Sequence, residues 1–165
     1  STRHSLDLLL EQVKLFRKNL LKATRMVREL SKKSLYTQRY ENLISIPGIG
    51  IVTAMSILTE IGDASRFHNQ REFASFLGLI PSCHSSGESI ASAEKTFRGN
   101  KHLGALVIES AWISIRHDRA MAMAYGEYCK RMKAQEAIIR VARKMSNRIL
   151  SVLKSGKKYQ YDKIR

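Results

Sequence analysis

From Leu6 the apolar residues fall at Leu6, Leu9, Val13, Phe16, Leu20, Ala23, Val27 and Leu30, an unbroken alternation of three- and four-residue steps. Residues three and four apart share one face only in a helix, so this spacing excludes a strand and demands something apolar to cover the seam. Glu11, Lys14, Arg17, Lys18, Lys22 and Arg25 fill the intervening positions, which completes a long amphipathic helix. Its partner is either another helix in a coiled coil, giving a homo-oligomer, or the remainder of the same chain; heptad spacing serves both. The run SKKSLYTQRY breaks the pattern, so a coiled-coil helix is assigned to residues 1–38 and a helical domain to residues 39–165.

The next segment, YENLISIPGIGIVTAMSILTEIGD, places Leu43 and Ile46 before Pro47-Gly48-Ile49-Gly50, and then returns to a helical period at Ala54, Ile57, Leu58 and Ile61. Glycine permits the tight reversal that other residues resist. The following helix would start with free N–H groups and the positive end of its dipole, a place for a phosphate. The pattern resembles a helix-hairpin-helix over about residues 41–62, with Gly48, Ile49 and Gly50 at the phosphate. A plain corner between two core helices has the same periodicity. Further on, apolar periodicity predicts a short helix from Gln70 to Leu77, one opening at Gly99-Asn100 and running toward Arg116, one from Arg119 to Met132, and a last one from Gln135 to Leu153. No stretch alternates with a period of two, so the fold class is all-α.

With 44% apolar residues in 165, the chain can bury a core, and its net charge of +15 exceeds what solubility needs. The excess is localised. Residues 130–165 hold twelve Lys or Arg against two acids, which supplies +10 of the +15. Arg140, Lys144 and Arg148 recur one turn apart with Arg143 beside them, as contacts to a nucleic-acid backbone would require. No apolar run is long enough for a membrane span, and Cys83 and Cys129 make no disulfide framework, which points to a reducing cytoplasm. The five histidines have no metal-site spacing, so no metal is assigned to this chain.

Between FASFLGLI and KTFRGNK lies GLIPSCHSSGES, part of a polar segment over about residues 78–98. Ser85 with Glu88 three residues later matches a capping box, and Ser-Gly is a common turn. The same serines would be nucleophiles if cations held a phosphate beside them, and Lys95, Arg98 and Lys101 are the nearby candidates.

Taken in order, the heptad helix, the IPGIG corner, ASRF, FASFLGLIP, the Ser-Ser-Gly serines, Arg98-Gly99-Asn100, Ala142-Arg143-Lys144 and Gly156-Lys157-Lys158-Tyr159 resemble the C-terminal transposase domain of the Piv-type DNA invertases and the bridge-RNA-guided insertion-sequence recombinases. The resemblance covers nearly the whole chain. It implies a transposase or site-specific recombinase that binds DNA and a guide RNA, in the nucleoid of a bacterial or archaeal cell. It implies that Ser86, with Ser85 as the fallback, is the nucleophile that attacks a DNA phosphodiester. It further implies a separate RNase H-like domain whose four acids hold Mg2+, without which the serine is nearly inert; a chain that opens at Ser1 on a helix fits a piece of such a protein. Phe97 and Gly104 stand where the family favours Lys and Arg, which leaves the cations to Lys95 and Arg98 or marks a weakened copy. A helix-hairpin-helix module that binds nucleic acid without chemistry is the alternative, and a coiled-coil assembly protein is a third reading.

Overall fold

A computed structural model describes residues 2–80 and 99–162. Among them every regular element is a helix and no strand is present: α1 (Thr2–Ser31), α2 (Ser34–Ile44), α3 (Ile51–Ile61), a 3-10 turn (Ala64–Arg66), α4 (Gln70–Phe76), α5 (Lys101–Ser114), α6 (Arg119–Cys129) and α7 (Ala134–Ser155). The break in the heptad run falls at Lys32-Lys33, and SLYTQRY begins α2 instead of remaining with the first helix.

Side chains set several helix starts. Asn69 accepts the Glu72 N–H, Asn100 accepts the Leu103 N–H, and the Asp118 carboxylate accepts the Ala120 and Met121 N–H groups. Each satisfies donors that a helix start leaves unpaired. At the other end of α7, Gly156 takes the left-handed conformation and closes the helix on the Val152 carbonyl.

The core forms around α7, which packs against α5, α6, α4 and α2. Ile138, Val141, Met145, Ile149 and Val152 of α7 are buried with Leu43, Ile57, Phe73, Leu77, Leu103 and Val107. Fully burying one such side chain is worth about 1.5–3 kcal/mol, so the shared face of α7 is the main apolar contribution to folding. The corner between α2 and α3 rests on α5. Gly48 has φ +93°, and a Cβ there would lie 2.1 Å from the Ser110 carbonyl oxygen, so neither the backbone angle nor the space admits another residue.

The first helix behaves differently. Val27 and Leu30 pack on the core from its end, while Leu6, Leu9, Val13, Phe16 and Leu20 are exposed, Phe16 by 69% and Leu20 by 67%. One heptad seam is therefore divided between a covered end and an open one.

Candidate nucleic-acid interface

Two candidate regions emerge, the ends of the serine segment and the exposed face of α7. Ser85, Ser86, Lys95, Phe97 and Arg98 lie outside the described residues. The residues that flank them are described, and they converge. The Asn100 N–H donates to the Phe76 carbonyl at 2.7 Å, and the Asn100 side-chain amide donates to the Glu60 carboxylate. A Cβ on Gly99 would lie 2.4 Å from the backbone of Gly78, so the two ends of the segment cross backbone to backbone. A side chain at Gly99 would push the two backbone segments apart, and Gly78 itself has φ +66°, a conformation that favours glycine. The described residues at the two ends of the segment thus sit together, one end following α4 and the other preceding α5, with Glu60 of α3 bonded to Asn100. Lys101 is exposed beside them.

Gly104 needs a different account from the sequence-based one. It is buried, and a Cβ there would lie 2.3 Å from the Leu77 carbonyl oxygen. An arginine in this chain would drive α5 off α4, so glycine here is a packing requirement of the body.

At the α2–α3 corner the three candidate residues separate. Gly50 is exposed and forms the N-cap of α3 with no side chain capping it, so the first-turn N–H groups stay open to an anion. Gly48 is turned against α5. Ile49 is 6% exposed and its N–H donates to the Ile46 carbonyl, so it is a core residue with nothing to offer a phosphate.

The basic stripe of α7 also divides. Arg140 and Lys144 are exposed and Arg143 is half-buried. Arg148 turns inward: its guanidinium donates to the Asp118 carboxylate at 2.5 Å, with the two side chains 16% and 1% exposed. It belongs to the fold and not to the free stripe, because its charge is held against the buried Asp118 side chain. Tyr159 completes the cluster, donating its hydroxyl to Asp118 at 3.0 Å while the Arg148 guanidinium lies 4.9 Å over its ring. Burial pushes the Tyr159 hydroxyl up to about 12, with the Arg148 charge opposing and the Asp118 hydrogen bond adding to the rise. The tail after α7 is tied down further, by the Asn42 amide donating to the Gly156 carbonyl at 2.7 Å and the Tyr159 N–H to the Ser45 hydroxyl at 2.7 Å.

Asp118, Glu60 and Asn42 are not among the sequence-predicted site residues, and Asn100 is predicted there only as a helix start. The spacing Asp-Arg-Ala-Met does carry an N-cap signal for Asp118, but nothing in it reveals a partner thirty residues away. Among the described residues no group of three His, Cys, Asp or Glu is placed to hold a metal ion, and no helix is long and apolar enough to cross a membrane.

Residues 40–126, from the end of α2 to α6 and including the serine segment, match the transposase family IS116/IS110/IS902. The chain belongs to that transposase family. Within it, the chain is 36% identical over 89 residues to the transposase of insertion element IS1111A from Coxiella burnetii, covering 54% of this chain and 24% of that one. It is 32% identical over 119 residues to the 43.6 kDa protein of insertion element IS110 from Streptomyces coelicolor, covering 72% and 29%. A pilin gene-inverting protein of Moraxella bovis is 32% identical over 124 residues, covering 71% and 37%. This IS110-family chain therefore spans between about a quarter and two fifths of the length of these relatives.

Proposed function

We propose that this chain is the DNA-handling, nucleophile-bearing part of a larger transposase or site-specific recombinase. The observation that carries the reading is the crossing of Gly78 and Gly99, which fixes both ends of the serine segment to one rigid junction of α3, α4 and α5. A nucleophile must be held about 3–3.5 Å from its target phosphorus and within about an ångström of the productive geometry, and a segment anchored at both ends on packed helices provides the frame for that. The Ser86 hydroxyl oxygen attacks phosphorus, the displaced deoxyribose oxygen takes up a proton, and the strand remains attached as a phosphoserine. A hydroxyl of the new strand then attacks the same phosphorus and releases the serine. Ser85 is the fallback. Lys95, Arg98 and Lys101 offset the phosphate charge, and Arg140, Arg143, Lys144 and the open N-terminus of α3 bind DNA or guide-RNA backbone.

Mg2+ in this scheme belongs to an acidic domain elsewhere in the complete protein, as the resemblance implies, and would offset charge on the scissile phosphate. The exposed seam Leu6–Leu20 pairs with a second copy as a coiled coil, a reading supported by apolar residues left uncovered at heptad spacing.

The test uses a transposase that carries this chain together with its acidic domain. Ser86→Ala should retain DNA and RNA binding and lose strand exchange, while Ser85→Ala retains both. Strand exchange by Ser86→Ala at the wild-type rate would remove the nucleophile and leave a non-catalytic binding module.

A further inference from the structure

The exposed face of α7 changes character along its length. Arg140, Arg143 and Lys144 occupy its first half, and Asn147, Ser151 and Ser155 continue the same face. Beside this second half, between α7 and the start of α4, lies a groove of about 420 Å³ with Leu150 among its lining residues. Its polar groups fall into two sets. Asn69 and His68 are committed to Glu72, the Lys154 ammonium donates to the Phe67 carbonyl at 2.6 Å, and the Ser155 hydroxyl accepts the Lys157 N–H. Gln70, Asn147 and Ser151 line the groove with no side-chain hydrogen bond among the described residues.

Two amides and a hydroxyl offer donors and acceptors together, without net charge. Phosphate oxygens call for cations, whereas base edges present mixed donor and acceptor pairs that an Asn or Gln amide matches in bidentate fashion. Lys144 and Ser151 are seven residues apart, roughly 10 Å along the helix. A strand whose phosphates lie on Arg140 and Lys144 can therefore present a base to the groove.

We propose that this groove reads a single base of the DNA bound along α7, with the Gln70 and Asn147 amides on the base edge, Ser151 supplying a further hydrogen bond, and Leu150 as an apolar floor. The proposal rests on the DNA-binding reading above. Its position adds a consequence. Gln70 opens the same short helix that ends at Phe76, the residue bonded to Asn100 at the base of the serine segment. That separation is roughly 9 Å, or about three base-pair steps, so the base being read lies close to the strand at the serine junction.

The test incubates the 165-residue chain with a randomised duplex DNA library and a matched RNA library, and measures the salt dependence of binding to one fixed duplex. Wild type should show a base preference at one position of the DNA library. Gln70→Ala/Asn147→Ala/Ser151→Ala should weaken that preference by about tenfold and leave the salt slope unchanged. Arg140→Gln/Lys144→Gln should do the reverse, lowering the slope by about one unit per lost phosphate contact and keeping the preference. Ser151→Ala alone, at an exposed position, should show a partial loss and covers the case in which the triple variant fails to fold. A flat wild-type DNA profile with a normal salt slope would overturn the groove and leave DNA binding standing. A preference that survives the triple variant, or one confined to RNA, would also overturn it. Absence of salt-dependent binding altogether would remove the DNA reading along with the groove.

Discussion

The two longest helices of the described chain, α1 with 30 residues and α7 with 22, announce themselves in the sequence in the same way, as apolar stripes at helical spacing flanked by cations. Their surroundings differ. Four helices of the same chain and the 3-10 turn press on α7, which buries nine residues, whereas α1 touches the body only through its last turns and leaves Leu6 to Leu20 uncovered. Apolar periodicity states that a face will be buried but not against what. The identity of the partner lies in what surrounds the helix: α7 follows short connections that fold α5 and α6 onto it, while α1 projects past the elements that could have covered it. Their uncovered faces differ too, since α1 offers an apolar seam suited to another helix and α7 offers charge and amides suited to a polyanion.

The sharpest way to break this comparison is to place the same charge in both stripes. Met145→Asp puts a carboxylate where no exposure exists and should prevent folding, a cost beyond about 4 kcal/mol read as loss of helical circular dichroism. Leu20→Asp should leave the thermal midpoint of the body within a few degrees and convert an oligomer to a monomer in light scattering. A Leu20→Asp chain that unfolds like Met145→Asp would mean that α1 is packed as α7 is.

The inward turn of Arg148 sharpens the contrast within α7 itself. Asp118→Ala would strand a buried guanidinium, uncap α6 and release Tyr159, for an expected loss of about 3–5 kcal/mol in denaturant titration. Arg140→Ala, on the open side of the same helix, should change stability by less than about 0.5 kcal/mol. Between these two lies Gly104→Ala, at about 1–3 kcal/mol, as its new methyl forces α5 away from the Leu77 carbonyl.

The smallest effect concerns pH. The Tyr159 hydroxyl titrates at about 12 in the fold against an ordinary value of 10, so the folded state favours its protonated form. The stability this provides is complete below pH 10 and is lost as the pH rises from 10 to 12. Tyr159→Phe should flatten the melting temperature over that window relative to wild type.

Much of the body was legible because its signals are local. The all-helical class, the inward residues Phe73, Leu77, Val141, Met145 and Ile149, and the opening of α5 at Asn100 follow from periodicity and capping chemistry. What stayed hidden depends on distant approach. Nothing near Arg148 in sequence shows Asp118 behind it, and nothing near Gly104 shows the Leu77 carbonyl, so the sequence alone puts Arg148 with the surface stripe and leaves Gly104 without its packing reason. Ile49 misled for a related reason: the corner motif specifies a backbone shape, and α5 decides which of its residues turn inward. Ser86 rests on the resemblance in motif order alone and lies outside the described residues, while the junction beside its segment depends on the approach of Gly78 to Gly99, which local sequence does not encode.

Whether this junction frames a nucleophile is tested most directly by trapping the covalent complex. A complete transposase carrying this chain is reacted with DNA nicked beside the cleavage site, so that the released strand diffuses away and the attached one cannot be resealed. The complex is then digested and the modified peptide sequenced by mass spectrometry. The account predicts a nucleotide esterified to Ser86, lost in Ser86→Ala. A nucleotide attached at a residue outside the segment between Gly78 and Gly99, or active strand cleavage with no protein–DNA ester, would contradict it.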